Sequence, residues 1–117
     1  MQYLSVEYIL NLQKLLQDTA GGIVNLPALE STVFSIKQGY YEDPLEAAAA
    51  LWKGITINHP FLDGNKRSGT LAMLDFLELN GISTNFDNEE LADFAVNVAM
   101  GKYAFEEIVE IIRGNTK

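Results

Sequence analysis

A chain of 117 residues with 48% hydrophobic and 21% charged side chains has room for one domain, over residues 1–117, and not for two. Without cysteine, disulfides, thiolate nucleophiles and Cys-based zinc or iron–sulfur centres are excluded. Sixteen acidic against eight basic residues give a net charge of −8, which opposes binding to nucleic-acid phosphates and anionic membranes and suits a partner with a basic segment.

Met1–Glu7 has no positive region followed by an apolar run, and the longest apolar stretch, Ala47–Trp52, is far too short to span a bilayer. A soluble, cytoplasmic protein is expected. The first helix is predicted over Ser5–Asp18, where Val6, Ile9, Leu10, Leu12, Leu15 and Leu16 give an apolar stripe. A second starts with Pro27 at its first position and carries Leu29, Val33, Phe34 and Ile36. Gln38–Glu42, with Gly39 and two tyrosines, reads as a loop or a short flap hairpin. Asp43-Pro44-Leu45-Glu46 then starts a third helix, with Asp43 as cap and Glu46 able to bond back to it, running to about Ile57. The tract Ala47–Ala50 fits this helix and asks for no special account.

Pro60 disfavours helical backbone at His59, so a non-helical segment interrupts the pattern there. A fourth helix runs from about Lys66 through Leu71, Leu74 and Leu77 to a stop at Asn80-Gly81. A fifth begins at Asp87-Asn88-Glu89-Glu90 and turns Leu91, Phe94, Ala95 and Val98 inward. A sixth, Phe105–Arg113, carries Ile108, Val109, Ile111 and Ile112 before Gly114. The expectation is an all-α bundle of about six helices.

The only histidine lies in Asn58-His59-Pro60-Phe61-Leu62-Asp63-Gly64-Asn65-Lys66-Arg67. The plain reading is a connection between helices with a solvated basic start, and a lone histidine is often structural. Its neighbours point elsewhere. Lys66 and Arg67 at a helix N-terminus oppose the macrodipole, which favours acidic residues there, and would suit a bound anion. Asn65 can cap that helix, and Gly64 allows close approach of the backbone to a ligand. Asp63 offers a hard oxygen ligand of the kind that magnesium–phosphate sites use. His59 has a pKa range suited to taking a proton from a hydroxyl. A base, a metal ligand, an anion cradle and two cations within nine residues are the parts of phosphoryl or nucleotidyl transfer. A P-loop is rejected, because Gly64–Thr70 has no Lys after its second Gly and no strand pattern precedes it.

Residues 59–67 match every fixed position of the His-Pro-Phe-x-Asp/Glu-Gly-Asn-x-Arg hallmark, and the chain resembles the Fic/Doc (Fido) family. The likeness continues in Ala47–Leu51 and Phe76–Gly81, and in Leu29-Glu30-Ser31, which is similar to the second helix of the Doc, or death-on-curing, branch. Most Fic proteins have glycine at the position of Lys66 and transfer AMP, whereas Doc-type toxins have Asn-Lys-Arg, as here. The resemblance implies a magnesium- and ATP-dependent transfer of the terminal phosphate to a Ser/Thr hydroxyl on a target protein, a translation elongation factor in Doc relatives. It implies that His59 is the general base, that Asp63 holds Mg²⁺, and that Gly64, Asn65, Lys66 and Arg67 bind the nucleotide phosphates. No inhibitory Ser/Thr-x-x-x-Glu-Gly/Asn segment is matched, so a separate antitoxin is the expected inhibitor. AMP transfer and a non-catalytic module binding nucleotide or protein are the alternatives.

Tyr40-Tyr41 is read either as part of a flap that aligns the target or as two ordinary aromatics. Trp52 reads as core packing rather than a nucleotide platform. Glu30-Ser31 reads as part of a target or antitoxin groove, or as a solvated helix face.

Overall fold

The computed structural model describes residues 1–16, 25–58 and 65–117. Among these, six helices follow in order: α1 Val6–Leu16, α2 Leu26–Lys37, α3 Pro44–Asn58, α4 Asn65–Leu79, α5 Asn88–Ala99 and α6 Phe105–Gly114. The all-α expectation holds, with each helix within a residue or two of its predicted bounds.

The alanine tract proves to be the centre of the molecule. Ala47, Ala48 and Ala49 are completely buried, together with Trp52, Ile55 and Thr56, so α3 is covered on nearly every side. A helix apolar all round belongs inside a core, and small side chains let neighbours approach from several directions at once. α3 packs on α2, α4, α5 and α6, most extensively on α4, while the described part of α1 packs mainly on α4 and less on α2.

The ends of the helices are written locally. Asn25 caps α2, its side-chain oxygen accepting from the Ala28 N–H at 3.1 Å. Leu26 precedes Pro27 as the first helical residue, one position earlier than expected. Asp43 caps α3 by accepting from the Leu45 N–H at 2.9 Å, and its other oxygen meets Arg113 at the end of α6 at 3.3 Å. Asp87 caps α5 through the Glu90 N–H. At α6 the Glu107 carboxylate accepts from the Ala104 N–H at 2.9 Å, half of a capping box, since Ala104 has no side-chain oxygen to reciprocate. α4 stops where the sequence says it should: Gly81 takes φ +77°, the Ile82 N–H donates to the Leu77 carbonyl at 2.9 Å and the Gly81 N–H to Glu78 at 3.0 Å. That is a Schellman closure, which needs a left-handed residue.

Three expectations change. Leu15 is 84% exposed, lying about 120° round the helix from Ile9, and the buried face of α1 instead takes in polar Gln13. Phe34 is 63% exposed, about 140° from Leu29 on α2. Gln38–Glu42 forms no hairpin. The connection between α2 and α3 is too short for two strands, and it turns at Gly39 with Tyr41 packed on Phe105 at 5.8 Å and Tyr40 left outside. Among the described residues the only strand-like pairing is an isolated antiparallel bridge between Thr84 and Thr116. No described helix is long and apolar enough to cross a membrane.

Candidate functional site

The candidate site lies where α3 hands over to α4, the best-packed pair in the fold. α3 ends at Asn58 and α4 begins at Asn65. His59, Phe61, Asp63 and Gly64 fall outside the described residues, so their expected roles are not placed. Asn65, Lys66 and Arg67 are placed, together on the first turn of α4. Asn65 opens α4 as far as the described residues reach, is buried, and is engaged in polar contacts of its own. Lys66 and Arg67 are exposed, with no acidic residue in that turn and no ion pair to a described carboxylate. Two cations therefore stand at a helix end whose N–H groups already carry partial positive charge.

The first two turns of α4 are held from both sides, by Gln13 of α1, which sequence reasoning passed over, and by Trp52 of α3. Ser68 is completely buried and its hydroxyl donates to Oε1 of Gln13 on α1, itself buried. Thr70 donates to the Lys66 carbonyl at 2.7 Å and accepts from the Trp52 indole N–H at 3.0 Å. Trp52 is thus core, as expected, with its ring edge-on to Phe86 at 6.4 Å, but its polar edge also steadies the turn that presents Lys66. Between these grips Gly69 faces α3 at van der Waals range. A Cβ built there would lie 2.4 Å from Thr56 Oγ1 and 3.1 Å from the Trp52 carbonyl oxygen. Thr56 Oγ1 is itself buried without a hydrogen-bond partner. The available signal was Ser68-Gly69-Thr70, three weak helix formers in a row near a helix start, where only close packing explains all three.

Lys66 and Arg67 stand at the edge of a groove of about 450 Å³ between α4 and α5. Its far walls are apolar, from Leu71, Leu91, Ala92, Ala95 and Val96, with Asn88 at the start of α5. Phosphates at the cations and a flat, weakly polar ring against the apolar walls would fill such a shape. No strand precedes the loop, and the described residues before it are helix α3, which disposes of the P-loop reading. Among the described residues, no three His, Asp or Glu side chains gather as a metal site.

The far end of α4 differs in character. A groove of about 660 Å³ there includes Asp75 and Glu78, and Tyr8 donates to Asp75 at 2.5 Å. That hydrogen bond, with smaller help from burial and the two negative charges, pushes the Tyr8 pKa up from 10.0 to about 12.

Comparison with known proteins agrees with this arrangement. A sequence model described as the Fic/DOC family matches residues 3–77. A curated protein named Toxin Doc, from Mycolicibacterium smegmatis, is 30% identical over 87 residues, covering 73% of this chain. The chain spans 65% of that relative's length, a little under two thirds. That relative is of the Doc branch, the branch expected from Asn65-Lys66-Arg67. By its matched sequence and its helical fold, the chain belongs to the Fic/DOC family.

Proposed function

We propose that this protein is the toxin of a toxin–antitoxin pair and transfers the terminal phosphate of ATP to a Ser or Thr hydroxyl on a target protein. The observation that carries this reading is the pair of exposed cations Lys66 and Arg67 on the first turn of α4, without an ion pair among the described residues, beside a largely apolar groove and seven and eight positions after the chain's single histidine.

In this mechanism His59 accepts the proton of the target hydroxyl as its oxygen attacks the γ-phosphorus. The bond from that phosphorus to the β–γ bridging oxygen breaks and ADP leaves. Lys66, Arg67 and the N–H groups opening α4 hold the phosphates and offset the charge that gathers on the leaving oxygen. The purine rests on Leu71, Leu91 and Val96. Asp63 would hold Mg²⁺, which supplies further charge neutralisation when bound. Magnesium commonly takes one or two carboxylates and completes its shell with phosphates and water, so the donor set fits without a larger acidic cluster. The similarity to Toxin Doc supports a separate antitoxin as partner, while the translation-factor target and the cytoplasmic setting rest on the resemblance of residues 59–67 to the Doc branch.

The test is intact-mass analysis of a translation extract incubated with this protein, Mg²⁺ and ATP, against a His59→Ala control. A His59-dependent gain of one phosphate on a translation protein supports the proposal and names the target. A gain of AMP would move the protein to the adenylyl-transferring side of the family. No mass change on any protein would leave the loop as a binding element and overturn the transfer reading.

A further inference from the structure

The excess acid is not spread evenly over the surface. The groove at the far end of α4 includes Asp75 and Glu78, and one of about 520 Å³ on α6 includes Glu106, Glu107 and Glu110. A third groove, of about 310 Å³ between α2 and α3, has no carboxylate among its described lining residues. Its polar lining is Ser31, Thr32 and Ser35 from α2 with Lys53 and Asn58 from α3, and apolar side chains such as Ile57 and Phe105 complete the walls.

Lys53 is half-buried and makes no ion pair among the described residues, although the protein has 16 carboxylates to offer. Thr32 and Ser35 donate their protons to helix carbonyls, Ala28 at 3.0 Å and Thr32 at 2.9 Å, so they do not supply the missing negative charge. A lysine that lines a groove gains more from a carboxylate brought by a partner than one on open surface, because the pair is less screened there. Lys53 and Asn58 both line the groove from α3, and Asn58 is joined directly to His59 in the chain. Along the axis Lys53 stands about 7 Å behind Asn58, the reach of two or three residues of extended chain.

Resting on the transfer reading above, we propose that this groove receives an acidic side chain of the target protein's acceptor segment, two to four positions from the hydroxyl that is modified. Lys53 pairs with the carboxylate and so helps set which hydroxyl lies opposite His59. It is a specificity residue and takes no part in the chemistry of transfer.

The experiment uses the full chain and fluorescent nonapeptides with a central Thr, each bearing one Asp or one Lys at a flanking position. Binding is read by anisotropy without nucleotide, and phosphate transfer is read separately with labelled ATP and Mg²⁺. Asp peptides with the charge two to four positions from Thr should bind about fivefold or more tighter than their Lys counterparts. Lys53→Ala should erase the preference and Lys53→Glu invert it, with both variants retaining the thermal stability of the parent. ATP should leave the peptide bound. Equal binding of Asp and Lys peptides, a preference that survives Lys53→Ala, or no peptide binding at all would each overturn the proposal. Displacement of the peptide by ATP would also overturn it, because the groove would then be taking phosphate. If Asp peptides bind as expected and none is phosphorylated, Lys53 is a docking residue for acidic segments, but its role in selecting a modified hydroxyl is overturned together with the phosphate-transfer reading.

Discussion

Replacing Gly69 by alanine sets two known effects against each other, and the structure says which wins. Removing a mid-helix glycine normally stabilises by up to about 1 kcal/mol through helix propensity. Here the new methyl would lie 2.4 Å from Thr56 Oγ1 and 3.1 Å from a backbone oxygen of α3. Neither neighbour is the free end of a long side chain, so the helices themselves must part, at an overpacking cost of about 1–3 kcal/mol. The net expectation for Gly69→Ala is a loss of about 1–2 kcal/mol, or roughly 4–8 °C in Tm for a domain of this size. Thr56→Ala removes the obstructing hydroxyl, which has no partner to lose, and should itself cost about 1 kcal/mol or less. The double variant should then recover at least about 1 kcal/mol relative to additivity, which urea unfolding of all four proteins measures directly. If Gly69→Ala is as stable as the parent, or if the two changes simply add, the close contact between α3 and α4 does not constrain the site as argued.

Ser68→Ala should cost about 1–3 kcal/mol, because it removes the buried hydrogen bond that the Ser68 hydroxyl donates to Gln13 Oε1, a loss that urea unfolding measures directly. Gly81→Ala tests strain without crowding: nothing lies within 4 Å of the added Cβ, yet φ is +77°, so a loss of about 1 kcal/mol is expected from backbone conformation alone. Tyr8→Phe addresses pH. The bond to Asp75 raises the Tyr8 pKa from 10.0 to about 12, so its stabilisation is complete below pH 10 and lost as pH rises through 12. Urea midpoints of parent and variant should therefore differ steadily below pH 10 and converge above it, and parallel curves throughout would refute that account.

The helices could be read from the sequence because their signals are local. Asp43, Asp87 and Gly81 announce starts and stops by chemistry that acts within four residues, and each does so in the structure. The placement of single side chains was less legible. Leu15 and Phe34 are apolar in composition but fall on the wrong side of a 3.6-residue period once the true packing direction is known. The alanine tract looked unremarkable because small residues signal close packing only when the neighbours are visible. At the candidate site, charge and order in the chain singled out Asn65, Lys66 and Arg67 as candidates, and the structure puts the three on one turn of α4. The residues that hold them came from elsewhere: Gln13 is 55 positions from Ser68, and Trp52 is 18 from Thr70. No periodicity links such pairs.

The burial of α3 on four helices also sets an order of opening. Amide exchange reports how far a protein must unfold before a given N–H meets water, and a helix packed against most of its neighbours opens only with the whole molecule. The Trp52 and Ile55 amides should therefore exchange at the global limit, with the early amides of α4 close behind. Among the described residues α1 packs mainly on α4 and, less extensively, on α2, and can peel away at lower cost. The turn that presents Lys66 is anchored to the element that lets go last, so its cations keep their place through fluctuations that release the rim of the bundle.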